Sequence, residues 1–257
     1  MRTNKQRTVI LLASSTLLLT VAGGAYYWYF MRPQGSAQDR AQGRTTSTNM
    51  LPDFLRPTAS PPARTLEDFA REHGINPRLL RAFIQIESGS LPPVGQYGPV
   101  IRLEAHTLLR EDPRVGNYFK AGPVEPWVGA TWRPTGQGPW LTLHTGGQRQ
   151  QYEALNLARS LLGPSSDAPY QAISMGKGQV MGFHHRMLGY PTAKAMFEAA
   201  RSESAQDVQF LTFLENDPGM FPAMKAGNMR EMVRIYNGPG QVDHYLAKFQ
   251  QALRAYA

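Results

Sequence analysis

The 257-residue sequence contains no cysteine. That excludes a disulfide framework, a thiolate nucleophile and any metal site built on cysteine sulfur. It does not exclude an oxidising compartment. Other chemistries also lack their residues. There are six histidines, His73, His106, His144, His184, His185 and His244, and none belongs to an HExxH pattern or a comparable helical ligand spacing, so a zinc hydrolase has no motif to rest on. The adjacent His184 and His185 cannot both face inward on a regular helix or strand, and they read as structural or surface residues. No G-x-S-x-G nucleophile elbow occurs. Gly176-x-Gly178 superficially resembles a phosphate loop, but no GKS or GKT follows and the dinucleotide pattern is incomplete. No metal and no cofactor are expected, and no internal repeat is visible.

Acidic residues are scarce at the start of the chain. Residues 1–64 hold eight of the 27 basic side chains and only two of the 19 acidic ones. The remainder carries 19 basic and 17 acidic residues, a net of +2 out of the total +8. The basic balance is thus a property of the tail, and no nucleic-acid partner is expected for the main body.

What that tail does have is a long uncharged run. Residues 1–7 are polar with three positive charges, and Thr8 to Phe30 is 23 residues without a charge. As a helix it would span about 34 Å, against a hydrocarbon core of about 30 Å. It ends in Tyr26, Tyr27, Trp28, Tyr29 and Phe30, like an interfacial aromatic belt, and Arg32 follows. The charge bias predicts a single-pass anchor in the cytoplasmic (inner) membrane over residues 8–30, with residues 1–7 in the cytoplasm and the rest in the periplasm. A cleaved signal peptide competes, since Gly23-Gly24-Ala25 offers small residues near a cut. The run contains Ser14, Ser15, Thr16, Thr20, Gly23 and Gly24, so release of the segment from the bilayer is a further expectation. Residues 31–64, rich in Ser, Thr, Gln, Arg and Pro, read as a flexible linker. Residues 65–257 read as one mainly α (α+β) domain.

Within that domain, Thr65-Leu66-Glu67-Asp68 opens a short helix through a capping-box-type start. The stretch Asn76 to His106 carries the clearest pattern. Asn76 suits an N-cap and Pro77 the first helical position. Leu79, Leu80, Phe83, Ile84 and Glu87 fall at helical spacing, which puts Glu87 on or beside the apolar face in the last turn, before Gly89. A helix C-terminus and an apolar surround both disfavour a carboxylate, so the acid is pushed toward its protonated form, as a general acid requires. Downstream, VIRLEAH alternates as a strand, with Arg102, Glu104 and His106 on one face and Ile101 and Leu103 on the other. A helix-ending surface acid and a solvated strand face fit these residues equally well.

Residues 111–148 are Gly- and Pro-rich and irregular, with Trp127, Trp132 and Trp140. Trp beside Gly and polar residues suits stacking on sugar faces; a Trp-pinned hairpin layer packed on the core is the competing reading. Helices are predicted at Gln150–Leu162, Lys194–Arg201, Ser204–Asn216, Met220–Lys225, Met229–Tyr236 and Gln241–Tyr256. With thiols, metal motifs and a serine elbow absent, carboxylate chemistry remains. Glycoside cleavage takes an acid to protonate the leaving oxygen and commonly a second carboxylate to activate water or stabilise the oxocarbenium-like centre. Glu87 in an apolar setting and Glu104 in a more polar one would supply two separated pKa values, with His106 orienting or charge-tuning Glu104.

Four ordered blocks then carry a resemblance. IESGS (Ile86–Ser90), VIRLEAH (Val100–His106), SMGKGQVMGF (Ser174–Phe183) and IYNGP (Ile235–Pro239), with G-G-x-x-x-x-Y at Gly146–Tyr152, are similar to the N-acetylmuramidase domain of phage-type endolysins, a family of the lysozyme-like superfamily. Its pattern runs roughly E-S-G-G, I-L-F-E-R-H, S-W-G-x-F-Q-I-M-G-F-N and Y-N-G-P. Here Ser90 replaces the second Gly of the first block and Arg102 the aromatic before the second glutamate. Met175 and Gly178 replace Trp and Phe, and His184 replaces Asn.

The resemblance implies a two-lobed lysozyme-like domain with a small β-hairpin or sheet region. It further implies hydrolysis of the β-1,4 bond between N-acetylmuramic acid and N-acetylglucosamine in peptidoglycan glycan strands. Glu87 corresponds to the acid, Glu104 to the second glutamate, acting as base for water or as charge stabiliser, and His106 to the histidine supporting it. Ser88, Gln179, Met181, Tyr236 and Asn237 are implied in substrate binding. A lytic transglycosylase forming a 1,6-anhydro product and a non-catalytic wall-binding or assembly protein are the alternatives. A membrane-timed phage lysin and a host wall-remodelling enzyme both suit the N-terminus.

Overall fold

The computed structural model describes residues 65–256 apart from 89–93, 124–125, 127 and 238–241. The apolar run 8–30, the linker 31–64, Gly89, Ser90 and Trp127 lie outside the described residues, as do the side chains of Ser88 and Asn237. Among the described residues no helix is long and apolar enough to cross a membrane. They fold mostly into helices, with three small antiparallel sheets.

Helix α1 (Leu66–His73) starts where the sequence predicts. The Thr65 hydroxyl oxygen accepts from the Asp68 amide at 3.0 Å and donates to the Asp68 carboxylate at 2.7 Å, and Gly74 ends the helix at φ 65°. Helix α2 (Pro77–Ser88) follows, with the Asn76 side chain capping the Arg78 amide at 3.0 Å. An Arg81–Glu67 ion pair ties the two helices. Leu79, Leu80, Ala82 and Phe83 are buried, so the predicted apolar face of α2 is its packed face. The last helix, α10 (Val242–Ala255), lies along it.

Between these helices runs the part that carries the second carboxylate. A hairpin of β1 (Val94–Gly95) and β2 (Gly98–Pro99) leads into β3 (Ile101–Leu103), which enters a sheet of order β3-β7-β8. Its partners are β7 (Ile173–Met175) and β8 (Val180–Met181), with Arg102 opposite Ser174 and Ser174 opposite Met181. The predicted strand through His106 is therefore too long. Leu108 N–H already bonds the Glu104 carbonyl at 3.0 Å, and helix α3 (Ala105–Glu111) begins directly after Glu104. His106 sits in that helix, not on the strand face.

The free edge of β3 is closed by side chains rather than by another strand. Helix α4 (Gly147–Leu162) crosses it. Gln148 accepts from Ile101 N–H at 2.9 Å and donates to the Ile101 carbonyl at 2.9 Å. Gln151 accepts from Leu103 N–H at 2.8 Å and donates to the Leu143 carbonyl at 2.7 Å. Two glutamines one turn apart thus satisfy backbone groups that a buried edge would otherwise leave unpaired.

The irregular region folds into a second small sheet of β4 (Phe119–Lys120), β5 (Thr131–Trp132) and β6 (Leu141–Thr142). Trp132 pairs opposite Phe119 and is 3% exposed, so at this position the packing reading holds. Trp140 is half-buried, with Lys120 Nζ 4.1 Å and the Arg133 guanidinium 4.6 Å from its ring centroid. After α5 (Ala168–Gln171) and β8, the chain continues through α6 (Ala193–Ala199), α7 (Glu203–Asn216), α8 (Met220–Lys225) and α9 (Met229–Asn237). In α7 Gln206, Gln209, Phe210, Leu211, Phe213 and Leu214 are all buried, the pattern of a helix enclosed on most sides. The chain buries His185 and half-buries His184, which a regular element would not allow, because it turns through a 3₁₀ segment at Gly182–His184. His184 packs between Phe183 and Phe213, and His185 is 6% exposed with Nδ1 3.0 Å from the Tyr190 carbonyl.

Replacing Gln151 by Met keeps the side-chain length and removes both hydrogen bonds. The Leu103 N–H and Leu143 C=O would be left without them, at about 1–3 kcal/mol for each buried group. We expect a fall in denaturation free energy of about 2–4 kcal/mol in urea unfolding, with loosening of β3.

Candidate active site

Glu87 stands in the last turn of α2, one turn beyond Phe83. The Phe83 ring meets Tyr236 edge-on at 4.2 Å, Phe210 at 5.8 Å and Phe249 at 6.0 Å between centroids. Four aromatic rings from α2, α7, α9 and α10 thus build an apolar floor on the Glu87 side of α2. Desolvation by the surrounding protein raises the Glu87 carboxyl to about 8, opposed only by the positive charge of Lys248. The residue is nevertheless partly open to solvent. A carboxyl that keeps its proton at neutral pH yet remains reachable is what proton donation requires.

Glu104 is placed by the junction of β3 and α3. Its amide bonds the Ala172 carbonyl at 2.8 Å, extending the strand pairing by one residue, and its side chain makes no capping bond to α3. The carboxyl is directed instead at Arg102, whose Nε lies 3.0 Å from Oε1, and at His106, whose Nδ1 lies 3.7 Å from Oε2. Glu104 is 6% exposed. Burial raises it to about 7, and the Arg102 guanidinium is the influence that holds it from rising further.

This corrects two expectations. Glu104 is the more buried of the two carboxyls, so its setting is not the more polar one; a cation, not solvent, supports its charge. His106 does not charge-tune it either. Burial, then the charges of Arg110 and Arg102, pull His106 down to about 3, so the ring is neutral at physiological pH. Its remaining contribution is positional, with Nε2 held 3.2 Å from the Thr107 hydroxyl.

The cluster extends to residues that no sequence motif marks. His144, on the loop before α4, is held neutral by burial and by the charge of Arg102. Tyr245, on α10, feels Glu87 and Arg102 together. The fields of Glu87 and of Arg102, the ion-pair partner of Glu104, thus both reach Tyr245. The signal for Tyr245 and Lys248 would have been their spacing of three on an amphipathic helix, which says nothing without the packing partner.

The remaining predicted contacts divide. Gln179 takes a φ of 46°. Its side chain closes its own turn, accepting from Ser174 Oγ at 3.0 Å and donating to the Gly176 carbonyl at 2.9 Å. Met181 is 2% exposed and Tyr236 is fully buried, so neither offers its side chain to a ligand from solvent. Tyr236 instead donates its hydroxyl to the Gly178 carbonyl at 2.7 Å. Both are corrected from substrate contacts to supports behind the site. Gly178 is where the resemblance expects Phe, and Phe210 explains the difference, since its ring fills the space a Cβ at 178 would need.

Residues 76–257 match the profile of the N-acetylmuramidase family. The chain belongs to that family. Among solved structures, the Burkholderia AP3 phage endolysin is similar, at 25% identity and a TM-score of 0.55, over 74% of this chain and 68% of that one. No curated protein matches significantly. The muramidase-family fold of this chain is thus the mostly helical, endolysin-like one, and the conflict between its carboxyls and their surroundings is open to measurement.

Both carboxyls titrate above the ordinary value near 4.5. A group raised on folding stabilises the folded state fully below its unfolded pKa and loses that contribution as pH rises through the folded one. Stability should therefore decline from about pH 4.5 to about pH 8, through both carboxyls. Glu87→Gln removes one of the two declining contributions. Its melting temperature should match the parent's at pH 4 and clearly exceed it at pH 9.

Proposed function

We propose that this chain is a peptidoglycan hydrolase that cleaves the β-1,4 bond between N-acetylmuramic acid and N-acetylglucosamine. One observation carries the reading: the Glu87 carboxyl, pushed up to about 8 by desolvation, remains partly open to solvent. Membership of the N-acetylmuramidase family and the likeness to a phage endolysin support it. Glu87 donates its proton to the glycosidic oxygen as the C–O bond breaks. Glu104, charged by virtue of Arg102, acts on the opposite side of the reaction as base for water or as stabiliser of the positive sugar centre. His106 and Arg102 fix its direction. Ser88 and Asn237, at the ends of α2 and α9, remain proposed contacts to the glycan. Gln179, Met181 and Tyr236 keep the β7–β8 turn in shape behind it.

The wider assignment follows from the tail. Residues 8–30 anchor the protein in the inner membrane, residues 31–64 give reach, and the domain from residue 65 works in the periplasm on the wall. The uncharged run with its Gly and Ser residues suits a phage lysin released from the membrane, and the same arrangement suits a host enzyme that remodels the wall locally.

A second reading has its own observation. Glu104 is nearly inaccessible and ion-paired to Arg102 at 3.0 Å, which favours a reaction with one working acid. A lytic transglycosylase works in that way, closing the muramic acid into a 1,6-anhydro ring instead of adding water. Mass spectrometry of digested peptidoglycan separates the two products by one water. We expect the hydrolysed product, a loss of turnover of at least about 100-fold for Glu87→Gln and a smaller loss for Glu104→Gln. Anhydro ends together with an active Glu104→Gln would establish the transglycosylase. Wild-type lysis by Glu87→Gln would remove both readings.

A further inference from the structure

The seam between α2 and α10 has a register. Phe83 and Phe249 meet with centroids 6.0 Å apart. One helical turn onward in α2 is Glu87, and one turn back in α10 is Tyr245. The charge of Glu87 acts on Tyr245, and that of Lys248 acts on Glu87, which is the pairing that two helices in antiparallel register through Phe83 and Phe249 give.

Tyr245 is 1% exposed, and its hydroxyl has no hydrogen-bond partner among the described residues. A buried donor left unsatisfied costs stability, and native structures contain few of them. A phenylalanine would fill the same space without that cost. The charged groups whose fields reach the hydroxyl are Glu87 from α2 and Arg102 from β3. On its own helix, Lys248 Nζ stands 5.2 Å from the ring centroid. Glu104, His106 and His144 are gathered around Arg102.

We propose that Tyr245 is a positioning residue for the acid, its hydroxyl donating a hydrogen bond to the Glu87 carboxylate that forms when the proton has passed to the leaving oxygen. The inference rests on the assignment of Glu87 as that acid. The step balances without a further reactant. The proton of Glu87 moves to the glycosidic oxygen as that oxygen takes the bonding pair from the sugar carbon. Tyr245 keeps its own proton and only reorients it. In this structure the hydroxyl has no partner among the described residues, so it is free to make that bond. Once Glu87 is charged in an apolar setting, it needs a donor and a counter-charge. Tyr245 supplies the first and Lys248 the second. A buried phenol suits this role because burial and the charge of Glu87 both push its pKa upward, so it remains a donor throughout the working range.

The test is a pH–rate profile on purified peptidoglycan for the full chain, its Tyr245→Phe and Lys248→Met variants, and Glu87→Gln. Removing a donor to the charged form raises the pKa of the acid. Tyr245→Phe should move the alkaline limb upward by about half a pH unit or more and lower the maximal rate roughly 10-fold, with its melting temperature unchanged or slightly higher. Lys248→Met should move the limb in the same direction. A Tyr245→Phe profile that superposes on the parent's, with Glu87→Gln inactive, overturns the role of Tyr245 and leaves the acid in place. A Glu87→Gln variant with parental turnover overturns the acid assignment itself, and this inference with it. Should Tyr245→Phe not fold, Tyr245→Leu and the Lys248→Met profile decide in the same way. An unmoved alkaline limb in both counts against the proposal.

Discussion

The arrangement depends on keeping carboxyl groups out of water. An acid in the last turn of a helix meets the negative end of the helix dipole, and α2 places Glu87 there above Phe83 and the rings packed on it. Lys248 is the charge that opposes this and favours the ionised form. The cost is met by the rest of the core. Phe210, Tyr236 and Phe249 come from three different helices, and each buries its ring against the one residue that lies a turn below the acid. The floor of the site and the centre of the hydrophobic core are the same group of side chains.

The second carboxyl depends on a different device. A strand of three residues cannot hold its own position, and β3 is paired on one side only. Gln148 and Gln151 give it a second edge, so Arg102 and Glu104 are fixed from both sides. The same Gln151 reaches the Leu143 carbonyl, which places His144 beside Arg102. One buried glutamine thus connects the strand that carries the second glutamate with the loop that shelters it. A side-chain amide does this better than a further strand would, because it satisfies the backbone while leaving room for the loop.

Much of this was legible in the residues, and the limits have physical causes. The caps at Thr65 and Asn76, the packed face of α2 and the bounds of α8 follow from local chemistry, and they fold as read. Helical periodicity located Glu87 without any tertiary information. The strand through His106 was misread because alternation is a weak guide over a few residues. Arg102, Glu104 and His106 alternate by composition, while the chain turns into α3 after Glu104. Trp132 packs where stacking on sugar was the other choice, since a large ring in a Gly-rich region is as useful to a small core as to a ligand. Tyr236 and Met181 were taken for contacts because they neighbour the site in sequence blocks. Burial, which no block records, puts them behind it. Tyr245 and Lys248 were invisible for the opposite reason: their meaning lies wholly in the partner helix, 158 and 161 positions before them in Glu87.

The ion pair at Glu104 argues for a reinterpretation of Arg102. Burial pushes both carboxyls upward, Glu87 to about 8 and Glu104 to about 7. They differ in the cation beside them. Arg102 stands at ion-pairing distance from Glu104, whereas Lys248 acts on Glu87 only through space. Arginine at 102 departs from the aromatic residue that the endolysin pattern carries there. With an apolar side chain in its place, a carboxyl this buried would have no countercharge and would stay neutral, leaving two acids and no base. The departure therefore does not weaken the site. It gives Glu104 a countercharge at 3.0 Å while that carboxyl is shut away from water.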